Sequence, residues 1–294
     1  MSRFGYVAPK SVADTIHLLH DYETRGERTQ ILAGGTDVIV QMRTFDREPR
    51  TLVDVKYIEE LNRVSIEDNE TYIGAAIPSG ILNENQKLKS LYPGLLESAD
   101  LIGSTQIQGR ASIGGNLCNS SPAGDTIPAL IANAANCVIA GNHGTRNVPV
   151  EDFVTGVGTN CMTRTEFLLG LILPRPRPRA QDAYLRFIPR TEMDIAVAGA
   201  GVSLTLDHDR VCTHARVGIG AVAPTPLLVT KAAEALIGTQ CDETSLQAAA
   251  DACRAAASPI TDKRGTVVYR RKVVGVLCYR AGVIARDRIL NGQN

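Results

Sequence analysis

Apolar positions along the chain follow two rhythms, one helical and one of short unbroken runs. Val12, Ile16 and Leu19 share a helical face, and Ser11 with Asp14 three positions later forms a capping-box pattern that opens the helix. Gly26 breaks the pattern, and the apolar run 29–32 reads as a buried strand ending at Gly34-Gly35. Residues 36–43 then predict a short helix behind a polar cap. Strands are predicted at 51–55 and 71–77, the second closed by Pro78-Ser79-Gly80. Leu95, Leu96, Ala99 and Ile102 lie on one face of a helical tract over 94–102. A helix over 128–135 follows, then a strand at 137–140 before a turn at 141–144. The continuous run 167–173 predicts a central strand.

Pro174-Arg175-Pro176-Arg177-Pro178-Arg179 interrupts this order. Alternating prolines continue neither a helix nor a central strand, and like charges repel, so the segment reads as an extended, solvated connector. It sets a domain boundary, with one unit at 1–176 and a second at 180–290. Beyond it, strands at 184–188, 195–206 and 211–219 precede two helices, near 245–257 and 268–289. Strands followed by helices predict an α+β second domain, unlike the alternating first part.

Composition narrows the class. A chain of 294 residues is long for one core and predicts two or three domains. Lys plus Arg number 31, as do Asp plus Glu, so no net field draws the chain to nucleic acid or an anionic membrane. No apolar run approaches the roughly 18–20 residues of a membrane span. The first ten residues lack the apolar core of a secretory leader, which predicts a cytoplasmic protein. The seven cysteines contain no C-x-x-C pair, so they read as free thiols and predict no zinc or iron–sulfur site in this chain.

The candidate chemistry lies in two glycine pairs. Ala33-Gly34-Gly35-Thr36-Asp37 and Ala111-Ser112-Ile113-Gly114-Gly115-Asn116 each follow an apolar segment and carry polar residues with an acid nearby. Backbone N–H groups in glycine-rich turns meet phosphate without the reach of a side chain. Neither stretch is the Rossmann G-x-G-x-x-G nor a P-loop, so nicotinamide chemistry on a Rossmann fold has no support. Residue types and spacing take the reading as far as a candidate phosphate cradle built from two loops.

These stretches, with Ser121-Pro122 and Asp125, resemble the flavin subunit of molybdenum hydroxylases, the family of xanthine dehydrogenase and aerobic carbon monoxide dehydrogenase. Tyr184-Leu185-Arg186, Met193-Asp194-Ile195-Ala196, Gly220 to Pro226 and Tyr269-Arg270-Arg271 resemble motifs of its second domain. The resemblance implies an α+β fold: a two-subdomain FAD-binding domain of the vanillyl-alcohol-oxidase (PCMH) type, then a smaller domain with a three-stranded antiparallel sheet and helices. It implies FAD contacts from Ile31, Leu32, Ala33, Gly34, Gly35, Thr36, Asp37 and Val38 on the first segment. On the second it implies Ala111, Ser112, Gly114, Gly115, Asn116, Cys118 and Asn119. Ile102, Gly103, Ile107, Gly124, Asp125, Leu168 and Arg186 match further flavin-contacting positions, and Ile102 and Leu168 also suit ordinary core.

Asp125 matches the carboxylate expected to hold a polar group of the flavin. Arg186 stands where the family often has lysine, and either faces the flavin or pairs with a carboxylate. No histidine or cysteine occupies a usual position for a covalent link, which predicts non-covalent FAD. Gly114→Val is expected to abolish FAD retention by blocking the backbone's approach to phosphate.

The resemblance further implies a relay in a larger assembly, a dimer of heterotrimers. A large partner subunit carries the molybdenum cofactor, a small one carries two 2Fe-2S clusters, and FAD here reduces an acceptor such as NAD⁺ or oxygen. Two rival readings are a stand-alone flavoprotein oxidase or reductase and a flavin-free scaffold subunit. The roughly 115 residues beyond the connector are few for a substrate domain, and the intact glycine pairs speak against the scaffold.

Overall fold

The computed structural model describes residues 4–44 and 48–292. The chain opens with parallel strands alternating with helices: β1 (Gly5–Val7), α1 (Val12–Thr24), β2 (Thr29–Leu32), α2 (Val38–Thr44) and β3 (Thr51–Asp54). The sheet order is β1-β3-β2, with Thr51 in register with both Gly5 and Thr29. Ser11 Oγ accepts the Asp14 N–H at 3.0 Å, so α1 starts at the capping signal. Leu19 of α1 packs against Val53 of β3, with Ile31 of β2 at the edge of the same cluster.

The second subdomain runs through β4 (Val64–Ile66), β5 (Glu70–Gly74), α3 (Ser79–Glu84), α4 (Gln86–Leu91), α5 (Pro93–Asp100), α6 (Thr105–Gln108), α7 (Ile113–Cys118) and α8 (Thr126–Ala132). It continues with β6 (Asn136–Gly141), β7 (Gly144–Pro149), α9 (Val150–Phe153), β8 (Val154–Gly156), β9 (Thr159–Asn160) and β10 (Phe167–Pro174). The five-stranded sheet has the order β4-β5-β10-β6-β7, so the predicted central strand is central. Phe167, Leu171 and Leu173 on it are at most 1% exposed, each contributing about 2 kcal/mol by burial.

Three elements differ from expectation. Strand 71–77 ends at Gly74, because Ala76 N–H turns to the Leu61 carbonyl and Ala75 N–H to that of Leu169. The helix predicted to reach Ile102 stops at Asp100, which leaves Ile102 in a turn. The second glycine pair is not a loop: it forms the first turn of α7, whose N-cap Ser112 accepts the Gly115 N–H at 3.0 Å. Paired glycines oppose a helix, and the cap overrides them locally.

Beyond the connector come β11 (Ala180–Phe187), β12 (Ala198–Leu206), β13 (Cys212–Gly220), β14 (Leu227–Leu228), α10 (Thr230–Leu236), α11 (Glu243–Ala256) and α12 (Val267–Asn291). The sheet has four strands rather than three, in sequence order. The extra one, β14, is two residues long beside Pro224 and Pro226, too short to show an alternation. Arg270 in the Tyr-Arg-Arg stretch is a staple: 4% exposed, it donates to the carbonyls of Val197 and Ala221 and to Asp262. Among the described residues no helix is long and apolar enough to cross a membrane.

The second domain lies across α8. Cβ atoms at Gly201 and Gly218 would fall 2.7 and 2.4 Å from the Pro128 carbonyl oxygen, so only glycine permits this approach. Asp182 of β11, 2% exposed, accepts from the N–H groups of Gly94 and Leu95 at the start of α5 and from the Asn133 amide. Arg216 joins Glu151 at 2.7 Å, and Arg288 meets Glu97. This seam fixes the N-terminus of α8, and with it Asp125.

Candidate active site: a cleft between two subdomains

Both glycine pairs face one cavity of about 390 Å³ between the parallel-sheet subdomain and the five-stranded one. Its first wall carries Ile31, Ala33, Gly34, Gly35, Thr36, Asp37 and Val38. Its second carries Ala111, Ser112, Gly114, Gly115, Asn116, Cys118 and Asn119, with Ile102 and Leu168. Six predicted residues lie off the wall. Leu32 turns into the core at 7% exposure. Gly103, at φ +61°, supports Ile107 and so holds the turn that presents Ile102. Gly124 backs the Asn116 side chain.

Arg186 takes the carboxylate-pairing alternative, and its partner is Asp125, the residue expected to hold a polar group of the flavin. They face each other at 2.6 Å, and Tyr184 donates its hydroxyl to the same carboxylate at 3.0 Å. β11 passes beside the start of α8, so the carboxylate is engaged by protein instead of facing the cavity. Burial nevertheless lifts the Asp125 carboxyl to about 6, with Arg186 opposing, and lifts Asp182 to about 6 as well.

These shifts fix a pH dependence of stability. Both folded pKa values exceed the unfolded ones, so their contribution is full below about 4 and is lost as pH rises through about 6. Glu166, held down to about 2 by Arg146, acts oppositely and loses its contribution as pH falls below about 4.5. Urea unfolding of the isolated chain is therefore expected to show greater stability at pH 5 than at pH 7.5, because the two aspartates lose their protons over that window while Glu166 is already ionised. A monotonic rise from pH 5 to 7.5 contradicts these assignments.

The cleft walls present donors. The backbone N–H groups of Gly34, Gly35, Thr36 and Asp37 meet no protein acceptor among the described residues, nor does that of Gly114. Asn116 Oδ1 accepts from the Thr126 N–H at 3.3 Å and its hydroxyl at 2.7 Å. A backbone N–H can only donate, so the amide orientation is fixed and Nδ2 is left for another acceptor. Desolvation raises the Asp37 carboxyl at the mouth. Burial pushes the Cys118 thiol up to about 12, so it stays protonated and a poor nucleophile.

The glycines divide by role. A Cβ at Gly114 would fall 2.4 Å from the Ala75 carbonyl oxygen, and one at Gly34 1.9 Å from that of Arg110. Gly114 is thus required for packing of α7 on the sheet, which replaces the expected reason for its sensitivity. Gly35 has φ +77°, open to glycine. A Cβ at Gly115 would meet only Ser112 Oγ, at 3.1 Å, so its bare backbone forms cavity wall.

Several wall residues have no counterpart in the sequence reading: Gln41, Asn160, Thr163, Arg164, Glu166 and Phe167. Most lie around the β9–β10 turn, a polar stretch without glycine pairs. The only signal was the start of the apolar run at Phe167.

Paired glycine segments on separate subdomains, facing across a cleft lined with free donors, define a dinucleotide-binding protein. Residues 2–176 match the FAD binding domain in molybdopterin dehydrogenase, and residues 183–283 the CO dehydrogenase flavoprotein C-terminal domain. The chain belongs to this family of FAD-binding subunits of molybdenum hydroxylases, and is an oxidoreductase subunit. It is 34% identical over 289 residues to the carbon monoxide dehydrogenase medium chain of Afipia carboxidovorans (strain ATCC 49405 / DSM 1227 / KCTC 32145 / OM5), covering 98% of each. It is 28% identical over 297 residues to the nicotinate dehydrogenase FAD-subunit of Eubacterium barkeri, covering all of both. The carbon monoxide dehydrogenase structure from Hydrogenophaga pseudoflava superposes with a TM-score of 0.91 at 31% identity, over 97% of this chain and 98% of that one.

Proposed function

We propose that the chain holds FAD non-covalently in this cleft and passes electrons from the 2Fe-2S clusters of a partner to an acceptor such as NAD⁺ or oxygen. One observation carries the reading. Residues 34–37, whose N–H groups are unpaired among the described residues, line the same cavity as Gly114 and Asn116, whose N–H and Nδ2, respectively, are likewise unpaired there. An anion between them supplies the acceptors that these donors lack, and a pyrophosphate spans both walls. Gly115 lets the phosphates reach backbone, while Ile31, Ile102 and Leu168 offer apolar surface to the rings and exclude water. When bound, FAD supplies exchange between one-electron and two-electron transfer.

The molybdenum cofactor is assigned to a large partner subunit and the clusters to a small one, in a dimer of heterotrimers. The names of the relatives, a medium chain and an FAD-subunit, support this division. Those relatives act on carbon monoxide and on nicotinate by name, so substrate choice is assigned to the large subunit. Native isolation is expected to bring down two further chains with molybdenum and iron. A protein that isolates alone and turns over substrate unaided contradicts the proposal.

A further inference from the structure

We infer that Gln41 is a positioning residue: its hydrogen bond to Asn119 clasps the two walls of the cleft and holds the first glycine segment in its donor-presenting form. The inference rests on the FAD reading for its consequence, though not for the contact itself. Gln41 Nε2 donates to Asn119 Oδ1 at 2.8 Å, joining α2 in one subdomain to the C-cap of α7 in the other. Both residues line the cavity.

The rest of α2 gives it little anchorage. None of its seven residues is buried, and Ile39 and Val40 are 42% and 55% exposed. Helices of this length are not stable alone and ordinarily rely on a buried apolar face. Residues 34–37, between β2 and α2, make no backbone hydrogen bond through their N–H groups among the described residues. Their conformation is therefore set from their two ends and by the close approach of Gly34 to the Arg110 carbonyl. One end is β2, paired along β3. The other is α2, and its side-chain tie to the opposite wall is Gln41. A second cross-cleft bond, from Arg110 Nε to the Gly34 carbonyl, is longer at 3.3 Å and comes from an exposed side chain.

Loss of the clasp is expected to leave the fold intact and loosen 34–44, so that FAD binding must first order this segment. Gln41→Ala is expected to speed amide exchange at Ile39 and Gln41 in the flavin-free chain about fivefold, the worth of one neutral hydrogen bond. Exchange in β2 and α12 should not change. In the loaded chain the same variant should release FAD about fivefold faster. Asn119→Ala should match it, the double variant should be no worse than either, and the swap of Gln41→Asn with Asn119→Gln should recover most of the loss.

Unchanged exchange in Gln41→Ala overturns the clasp. So do additive effects of the two alanine variants on release, which would mean that each side chain touches FAD separately. A wild-type chain that takes up no FAD refutes the functional proposal, and the exchange comparison still decides the clasp.

Discussion

Gly34→Ala is expected to unseat the flavin and weaken the fold together. A Cβ there would lie 1.9 Å from the Arg110 carbonyl oxygen, 2.5 Å from its carbon and 3.0 Å from the Ala111 nitrogen. All three are backbone atoms, so no side-chain rotation relieves the clash, and the two walls must separate. Overpacking of this kind costs typically about 1–3 kcal/mol, and here the strain falls on the cavity itself. The flavin-free variant should melt several degrees lower, and its affinity for FAD should fall about 100-fold or more. Wild-type affinity in this variant would show that the walls are not held at this spacing. Gly114→Val belongs to the same group, because its Cβ meets the Ala75 backbone at 2.4 Å.

Gly115→Val should separate the site from the fold. Its Cβ meets only the Ser112 hydroxyl, at 3.1 Å, and the position lies on the cavity wall. A branched side chain here occupies space that the account gives to phosphate, while helix propensity rises relative to glycine. Thermal stability of the flavin-free chain should stay within about 3 °C of wild type. FAD affinity should fall about 100-fold, from lost contact between backbone and phosphate. Loss of folding, or retention of affinity, would remove Gly115 from the phosphate wall.

Much of this was legible in the sequence where a local signal and the tertiary environment agree. Ser11 and Asp14 marked the start of α1, and the unbroken run at 167–173 marked the central strand, because a strand buried on both faces needs no alternation. The two glycine pairs located both walls of the cleft. Their individual reasons were not legible. Gly34 and Gly114 are required by backbone 76 and 39 positions away, a relation that exists only after folding. The helix α7 was hidden because its glycines argue against a helix and its cap is a single serine. Arg186 was legible as a residue that faces the flavin or pairs with a carboxylate; that its partner is Asp125 follows only from the antiparallel run of β11 past α8. The wall from Asn160 to Glu166 carried no pattern at all, since polar turn residues look alike whether they line a cavity or face solvent.

Flavin content decides whether the cleft holds FAD. The purified chain, or the chain reconstituted with excess FAD and desalted, is expected to be yellow. It should release close to one FAD per chain on denaturation, with nothing left attached to the protein. A correctly folded chain that stays colourless and takes up no FAD would contradict the account.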